Sequence, residues 1–303
     1  MTTTVAVLTQ NILPIFIVAA FGFGLQRWIG LDKRALSSAV LYVLSPCLVF
    51  SSLVNSELTG EELATLAVFT LLTIFLMGLL GLATAFLLRL SRAETVALLI
   101  VLMFVNGGNY GLTLNLLRYG QEGLARAIVY FTTSTVIVYT AGMFIASMGR
   151  LTWRQSLIQL LRLPPVYAAV LAVVFYTWQV EVPAPLMRAI EVAGAGSIPV
   201  MLLVLGMQMA DLRGVVNWHM AGPAVLLRLL AGPLIGLLVA NMLGLSGLGR
   251  ATSIIEASMP PAVFTVILAT EFNLQPAVVT SIVVLSTLLS PLTVAAVITL
   301  FGL

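Results

Sequence analysis

At 303 residues, 60% hydrophobic and 8% charged, with a mean hydropathy of +1.12, the chain is far from the roughly 25% charged residues of a soluble domain. Its net charge of +3 is too slight to call for a nucleic acid. Its single cysteine, Cys47, excludes an internal disulfide or a cysteine metal cluster and reads as a small packing residue.

The opening stretch, MTTTVAVLTQNILPIF, lacks the basic region of a cleaved signal peptide and reads as the start of a first span. About 20 apolar residues suffice to cross a hydrocarbon core about 30 Å thick. Ten such runs follow in order, near 8–26, 36–54, 63–88, 95–117, 124–148, 164–180, 186–210, 219–243, 251–272 and 277–302. The third is the clearest, with 26 residues and no charge. The expectation is an all-α polytopic membrane protein with ten transmembrane helices and no soluble domain left over. Residues 1–148 form a first five-helix repeat, 149–163 a short cytoplasmic linker and 164–303 a second repeat. The linker, GRLTWRQSLIQLLRL, mixes Arg and Gln with Trp and Leu, which predicts a short helix along the membrane surface. Trp28, Trp153, Trp178 and Trp218 fall at span ends, as interfacial anchors do.

Short cytoplasmic loops carry an excess of Lys and Arg. With the N-terminus outside, the inner loops receive nine basic residues, Arg27, Lys33, Arg34, Arg89, Arg92, Arg150, Arg154, Arg162 and Arg213. The outer loops receive four, Arg118, Arg126, Arg188 and Arg250. Both termini are therefore expected outside a cell membrane that the chain crosses many times.

Helix breakers recur with one spacing. Pro46 to Gly108 is 62 residues and Pro199 to Pro261 is also 62, while Pro14 to Pro46 is 32 against 34 from Pro165 to Pro199. Five spans is an odd number, so the second half must run through the membrane inverted, an arrangement that recurs in secondary transporters. The fourth span contains Asn106-Gly107-Gly108-Asn109-Tyr110-Gly111, and the ninth contains Ser258-Met259-Pro260-Pro261. Glycine leaves a helix cheaply, and proline withholds a backbone donor. Irregular backbone at membrane depth is tolerated only when buried in protein or lining a wet cavity. Two breaks at matching positions are expected to cross near the midplane, with helix N-termini turned toward one small volume that suits an anion. The plainer alternative is a pair of packing kinks at close helix contacts.

Ionisable residues inside spans are costly and usually functional. Glu256, four residues before Pro260, is the candidate site for a coupling H⁺ or Na⁺, with pairing to Arg250 or surface exposure as the alternatives. Arg228, in PAVLLRLLAG, can counter a substrate anion, pair with Glu191 or snorkel to the surface. Glu191 and His219 read as surface residues, and Glu61-Glu62 as solvated loop charge without a partner.

The segment Asn106 to Leu112, followed by Tyr119-Gly120, resembles the fourth-helix signature of the auxin efflux carrier family, the bacterial relatives of plant PIN transporters. Ile198-Pro199-Val200-Met201-Leu202-Leu203-Val204-Leu205-Gly206-Met207-Gln208 resembles its seventh-helix motif, and Met259-Pro260-Pro261-Ala262 its ninth. The resemblance covers nearly the whole chain. It implies a five-plus-five inverted repeat, a helix crossover, and elevator-like transport of small organic anions, in a superfamily that includes sodium-coupled bile acid transporters. Thr113 stands where such relatives commonly have proline, and the long cytoplasmic loop of the plant members is missing. The residues expected to bind substrate are Asn106, Gly108, Asn109, Tyr110, Pro260 and Pro261. Gly107, Gly111, Pro46 and Pro199 are expected to break or shape helices.

No HExxH, GxSxG, Walker A or Cys/His metal spacing occurs, and there is one histidine, so an enzyme, a cofactor or a bound metal is not expected. The expected function is a secondary carrier of small organic anions such as carboxylates. A sodium-coupled symporter, a passive channel or a substrate sensor is the alternative. The lipid bilayer, a coupling H⁺ or Na⁺ and a second copy of the chain are the partners considered.

Overall fold

Local chemistry sets where each helix begins and ends. The computed structural model describes residues 4–147, 152–161, 163–211 and 217–303. Arg150, Arg162 and Arg213 of the charge argument, and the side chain of Trp153, lie outside the described residues. The first helix, α1 (Thr4–Ile29), stops at Gly30, whose φ of 68° suits a residue without Cβ and whose N–H returns to Leu25 O at 3.0 Å. Helix α2 (Lys33–Val54) is capped by Asp32, which accepts the Arg34 N–H at 2.9 Å. Helix α3 (Gly60–Leu87) is capped by Thr59. Glu61 and Glu62 lie in its first turn, where carboxylates favour the positive end of the helix, and Glu62 pairs with Arg126 at 2.7 Å. This corrects the expectation of a loop charge without a partner. Helix α4 (Arg92–Met103) opens on a capping box in which Ser91 and Glu94 bond reciprocally, and the Ser91 hydroxyl and N–H hold the Glu94 carboxyl below its ordinary range.

Helix α5 (Gly107–Ala146) is 40 residues long but leaves helical backbone at Gly120, where φ is 67° and ψ −156°. The linker carries α6 (Trp153–Leu160). Then come α7 (Pro164–Thr177), α8 (Ala184–Ala210), α9 (Trp218–Met242), α10 (Gly247–Ala257), α11 (Phe264–Glu271) and α12 (Pro276–Leu300). Among the described residues the only β-type pairing is an isolated bridge, so the fold is almost entirely helical.

Seven of these helices, α1, α2, α3, α5, α8, α9 and α12, are long and apolar enough to cross a membrane by length and composition. The ten apolar runs map onto fewer continuous helices for a definite reason. The fourth run is divided between α4 and the start of α5, the ninth between α10 and α11, and α7 is only 14 residues long. Pro46 and Pro199, expected to break or shape helices, sit where the helix changes its winding. A wide turn over Val40–Leu44 precedes Pro46 and makes room for a residue without an N–H, and Pro199 falls in the first turn after Gly196.

Two groups of helices result. Helices α1, α2, α7 and α8 pack on one another, with α1 and α8 in backbone contact. A Cβ on Gly206 would overlap Ala19 O, and one on Gly22 would lie 2.7 Å from Leu203 Cα. Helices α3, α4, α5, α9, α10 and α12 form the second group, joined in part through Phe69, Tyr130, Val239 and Ile254. Leu226, Leu230, Leu234 and Leu238 repeat every four residues on the outer face of α9, each more than half exposed, as a face covered by lipid would be. Trp28, Trp178 and Trp218 are exposed at helix ends.

Candidate functional site

Helix α10 ends because Pro260 and Pro261 have no N–H to give to Glu256 O and Ala257 O. Helix α4 ends differently. In a continued helix Asn106 would donate its N–H to Leu102 O, but it donates instead to Pro260 O at 2.8 Å. Ala262 returns an N–H to Phe104 O at 3.0 Å, and Val105 and Pro261 form an antiparallel bridge. Each interruption thus supplies partners for backbone groups the other has freed, which is what buried irregular chain requires. Helix α5 restarts on Asn106 O, which accepts from Tyr110 N at 3.3 Å and Gly111 N at 3.1 Å.

Two buried ionisable side chains flank this junction. Glu256 is 0% exposed, and its Oε1 accepts from Asn115 Nδ2 at 3.0 Å. The carboxylate lies against the glycine face of the first turn of α5: a Cβ on Gly111 would overlap both of its oxygens, and one on Gly107 would come within 2.8 Å of Oε2. Glu256 Oε2 and Asn115 Oδ1 have no hydrogen-bond partner. The carboxylate therefore sits at the positive end of α5 and bonds Asn115 rather than Arg250. Arg228 is 2% exposed and donates to Leu102 O at 2.6 Å and to Ala257 O. This corrects both alternatives considered for it, since it neither reaches the surface nor pairs with Glu191, whose Oε1 accepts from Asn55. His219 is exposed at the start of α9.

On the other side of the same turn lies a cavity of about 390 Å³ between the two helix groups. Asn106, Gly108 and Asn109 line it at the break, with Phe104, Phe131, Ser134, Thr135 and Tyr139 from α4–α5, Met201 and Gln208 from α8, and Val263 and Phe264 beyond the prolines. No charged side chain is among the lining residues. The Nδ2 of Asn106 and the Oε1 of Gln208 are buried without a partner, so a donor and an acceptor remain available. The Tyr139 and Phe264 rings lie 5.2 Å apart.

Of the residues expected to bind substrate, Asn106, Gly108 and Asn109 reach the cavity wall. Tyr110 points into the core, its ring edge-on to Phe16 at 5.7 Å, and Pro260 and Pro261 lie behind the wall in the bridge. Thr113 does not interrupt α5, and its hydroxyl donates to Asn109 O at 3.1 Å. Sequence reasoning missed Asn115, although an asparagine one turn beyond Gly111 inside an apolar run was a usable signal. It also missed Gln208, which stands at the end of the seventh-helix motif, and Phe131, Ser134 and Thr135, which carry no such signal.

A family model described as membrane transport protein matches residues 7–151 and 147–298. The chain belongs to that family, the auxin efflux carrier family. An uncharacterized transporter of Methanothermobacter thermautotrophicus is 28% identical over 278 residues, covering 88% of this chain and 89% of its own length. An uncharacterized transporter of Methanocaldococcus jannaschii is 23% identical over 250 residues, 80% of each chain. A probable auxin efflux carrier component of Oryza sativa subsp. japonica is 26% identical over 130 residues, 41% of this chain and 23% of the plant protein. The protein is a multi-pass membrane transport protein.

Proposed function

We infer that the protein is a secondary carrier of small organic anions such as carboxylates, working by alternating access around the paired interruptions. In this reading the chain makes ten membrane spans in two inverted halves, 1–148 and 164–303, with both termini outside. The fourth and ninth spans are each built from two helix pieces. The observation that carries it is the cavity at the break, which Asn106, Gly108 and Asn109 at the N-terminal turn of α5 line with no charged side chain beside them, the Asn106 amide nitrogen lying unpaired next to it. Free N–H groups and the positive helix end favour an anionic head. Phe131, Tyr139 and Phe264 offer an apolar surface for the rest of the molecule.

Glu256 supplies the coupling. Its carboxylate and the cavity use different faces of one helix turn, with Gly107 and Gly111 toward the glutamate and Gly108 toward the cavity. A substrate anion and an ionised Glu256 therefore compete for one positive helix end, and neutralising Glu256 favours substrate. A proton does this with the fewest ligands. The sodium-coupled alternative draws on one observation, the two unpartnered oxygens of Glu256 and Asn115. A thermal-shift screen of carboxylates, with and without Na⁺ and at two pH values, tests the reading, because a ligand that binds the folded state raises its melting temperature. Saturable uptake with trans-stimulation is expected, and steady conductance would replace the carrier by a channel. Tags at both termini are expected to report the outer face, and a cytoplasmic N-terminus would overturn the span parity.

A further inference from the structure

Arg228 takes no part in the proposed transport step, yet it is among the largest fully buried side chains of the described residues. It sits on α9 in a wide turn over Leu227–Ala231, in the middle of an apolar helix. Its bonds go to two carbonyls with a common history. Leu102 O lost its helical donor when Asn106 turned to Pro260, and Ala257 O faces Pro261, which has no N–H to offer. One guanidinium thus replaces the donors that both interruptions removed. Gly232, one turn further along α9, clears the space: a Cβ there would overlap Arg228 Nη2 and lie 2.8 Å from Ala257 O. The small void beside the group, lined by Thr73, Met77, Met103 and Tyr130, has no room for a water-sized sphere.

The carbonyl ends of α4 and α10 are the negative ends of two helix dipoles, and a cation is the species that such a meeting point holds. In carriers built on interrupted helices, these C-terminal ends and unwound carbonyls commonly coordinate the dissolved coupling cation. We propose that Arg228 is a tethered cation filling the junction between the carbonyl ends of α4 and α10, so that no alkali cation enters there. The coupling consequence, that Glu256 is left to carry it, rests on the carrier reading. The assignment of the arginine does not.

The test is thermal unfolding of the purified protein in lipid nanodiscs, with NaCl replaced by N-methylglucamine chloride at fixed ionic strength. It needs no transported substrate, so failure of the carrier reading leaves it interpretable. Parent protein is expected to show no Na⁺ response beyond one that Glu256→Gln abolishes. A saturable Na⁺ response that survives Glu256→Gln would overturn the proposal, and this arm is decisive without any change at Arg228. Arg228→Ala should melt lower by on the order of 10 °C, the scale for two buried groups left unpaired. Methylguanidinium, the severed head group, should restore it saturably, while Na⁺ should now stabilise the variant alone. If the alanine variant purifies only with methylguanidinium present, that supports the assignment equally. Arg228→Met melting like the parent would show that the side chain serves packing and not charge.

Discussion

Between Ala257 and Phe264 the chain cannot be helical, because two consecutive prolines withhold the N–H groups that Glu256 O and Ala257 O would need. Between Met103 and Gly107 nothing covalent forbids a helix, and the interruption persists because Pro260 O takes the Asn106 N–H and Arg228 takes Leu102 O. One break is imposed by its own residues, the other is held by its neighbours. The held break brings Asn106, Gly108 and Asn109 to the cavity wall and carries Glu256 against its first turn. A hydrogen bond that can be exchanged contributes only about 0.5–1.5 kcal/mol net. The glycine side is therefore where a bound anion or a proton can shift the balance, and the proline side is the fixed frame.

The largest expected effect separates two faces of the glycine side. Gly111→Ala places a methyl into both oxygens of the Glu256 carboxylate, which is buried and cannot retreat to solvent. Overpacking against a buried carboxyl group should cost about 3 kcal/mol, seen as a fall of roughly 10 °C in melting temperature. Gly108→Ala meets only the Phe131 ring, at 2.9 Å on the cavity wall, and that ring has space to turn into. Its cost should stay near 1 kcal/mol, with a change in ligand affinity instead. Equal melting temperatures for the two variants would show that the turn has no distinct charge face.

Next in size is the loss of the cavity donor. Asn106→Ala keeps the backbone N–H that bonds Pro260, so the break survives and only the amide is removed. Losing a hydrogen bond to a charged ligand should weaken binding by about 1.5–3 kcal/mol, roughly tenfold to a hundredfold, with Asn109→Ala also weakened. Unchanged affinity in both, measured by titration with whichever carboxylate the screen identifies, would move the site away from this cavity. Glu256→Gln, which keeps the shape and the Asn115 contact, should bind substrate at least as well as parent and lose the ion or pH dependence. Retained dependence together with lowered stability would make the glutamate structural.

What was legible beforehand follows from what lipid penalises. Paired prolines, an asparagine-glycine run and a lone glutamate each stand out against apolar sequence, because each costs free energy unless the fold answers it. Ser134 and Thr135 do not stand out: their hydroxyls bond Phe131 O on their own helix, at 2.9 and 2.7 Å, so in lipid they are nearly silent. The partners of Arg228 were illegible for a deeper reason. Every residue carries a carbonyl, so nothing in the sequence marks Leu102 and Ala257 as the two left open. Likewise a run of about 20 apolar residues reads the same whether it forms one helix or two halves.

The smallest expected effect addresses the proline side directly. Pro261→Ala returns an N–H to a position where a helix would aim it at Ala257 O, but Arg228 already donates to that oxygen. The extended geometry is also secured from outside, by Asn106 N–H on Pro260 O and Ala262 N–H on Phe104 O. Restoring the donor should therefore not restore the helix. What is lost is mainly the restriction that proline places on the unfolded chain, about 0.4–1 kcal/mol, so the melting temperature should fall by only about 1–4 °C. Substrate affinity should be unchanged, because position 261 lies behind the cavity wall. If Pro261→Ala instead abolished binding, the proline itself would be holding the junction open. The cross-bonds between the two interruptions would then be a consequence of the break and not its support, and the contrast between an imposed and a held break would have to be redrawn.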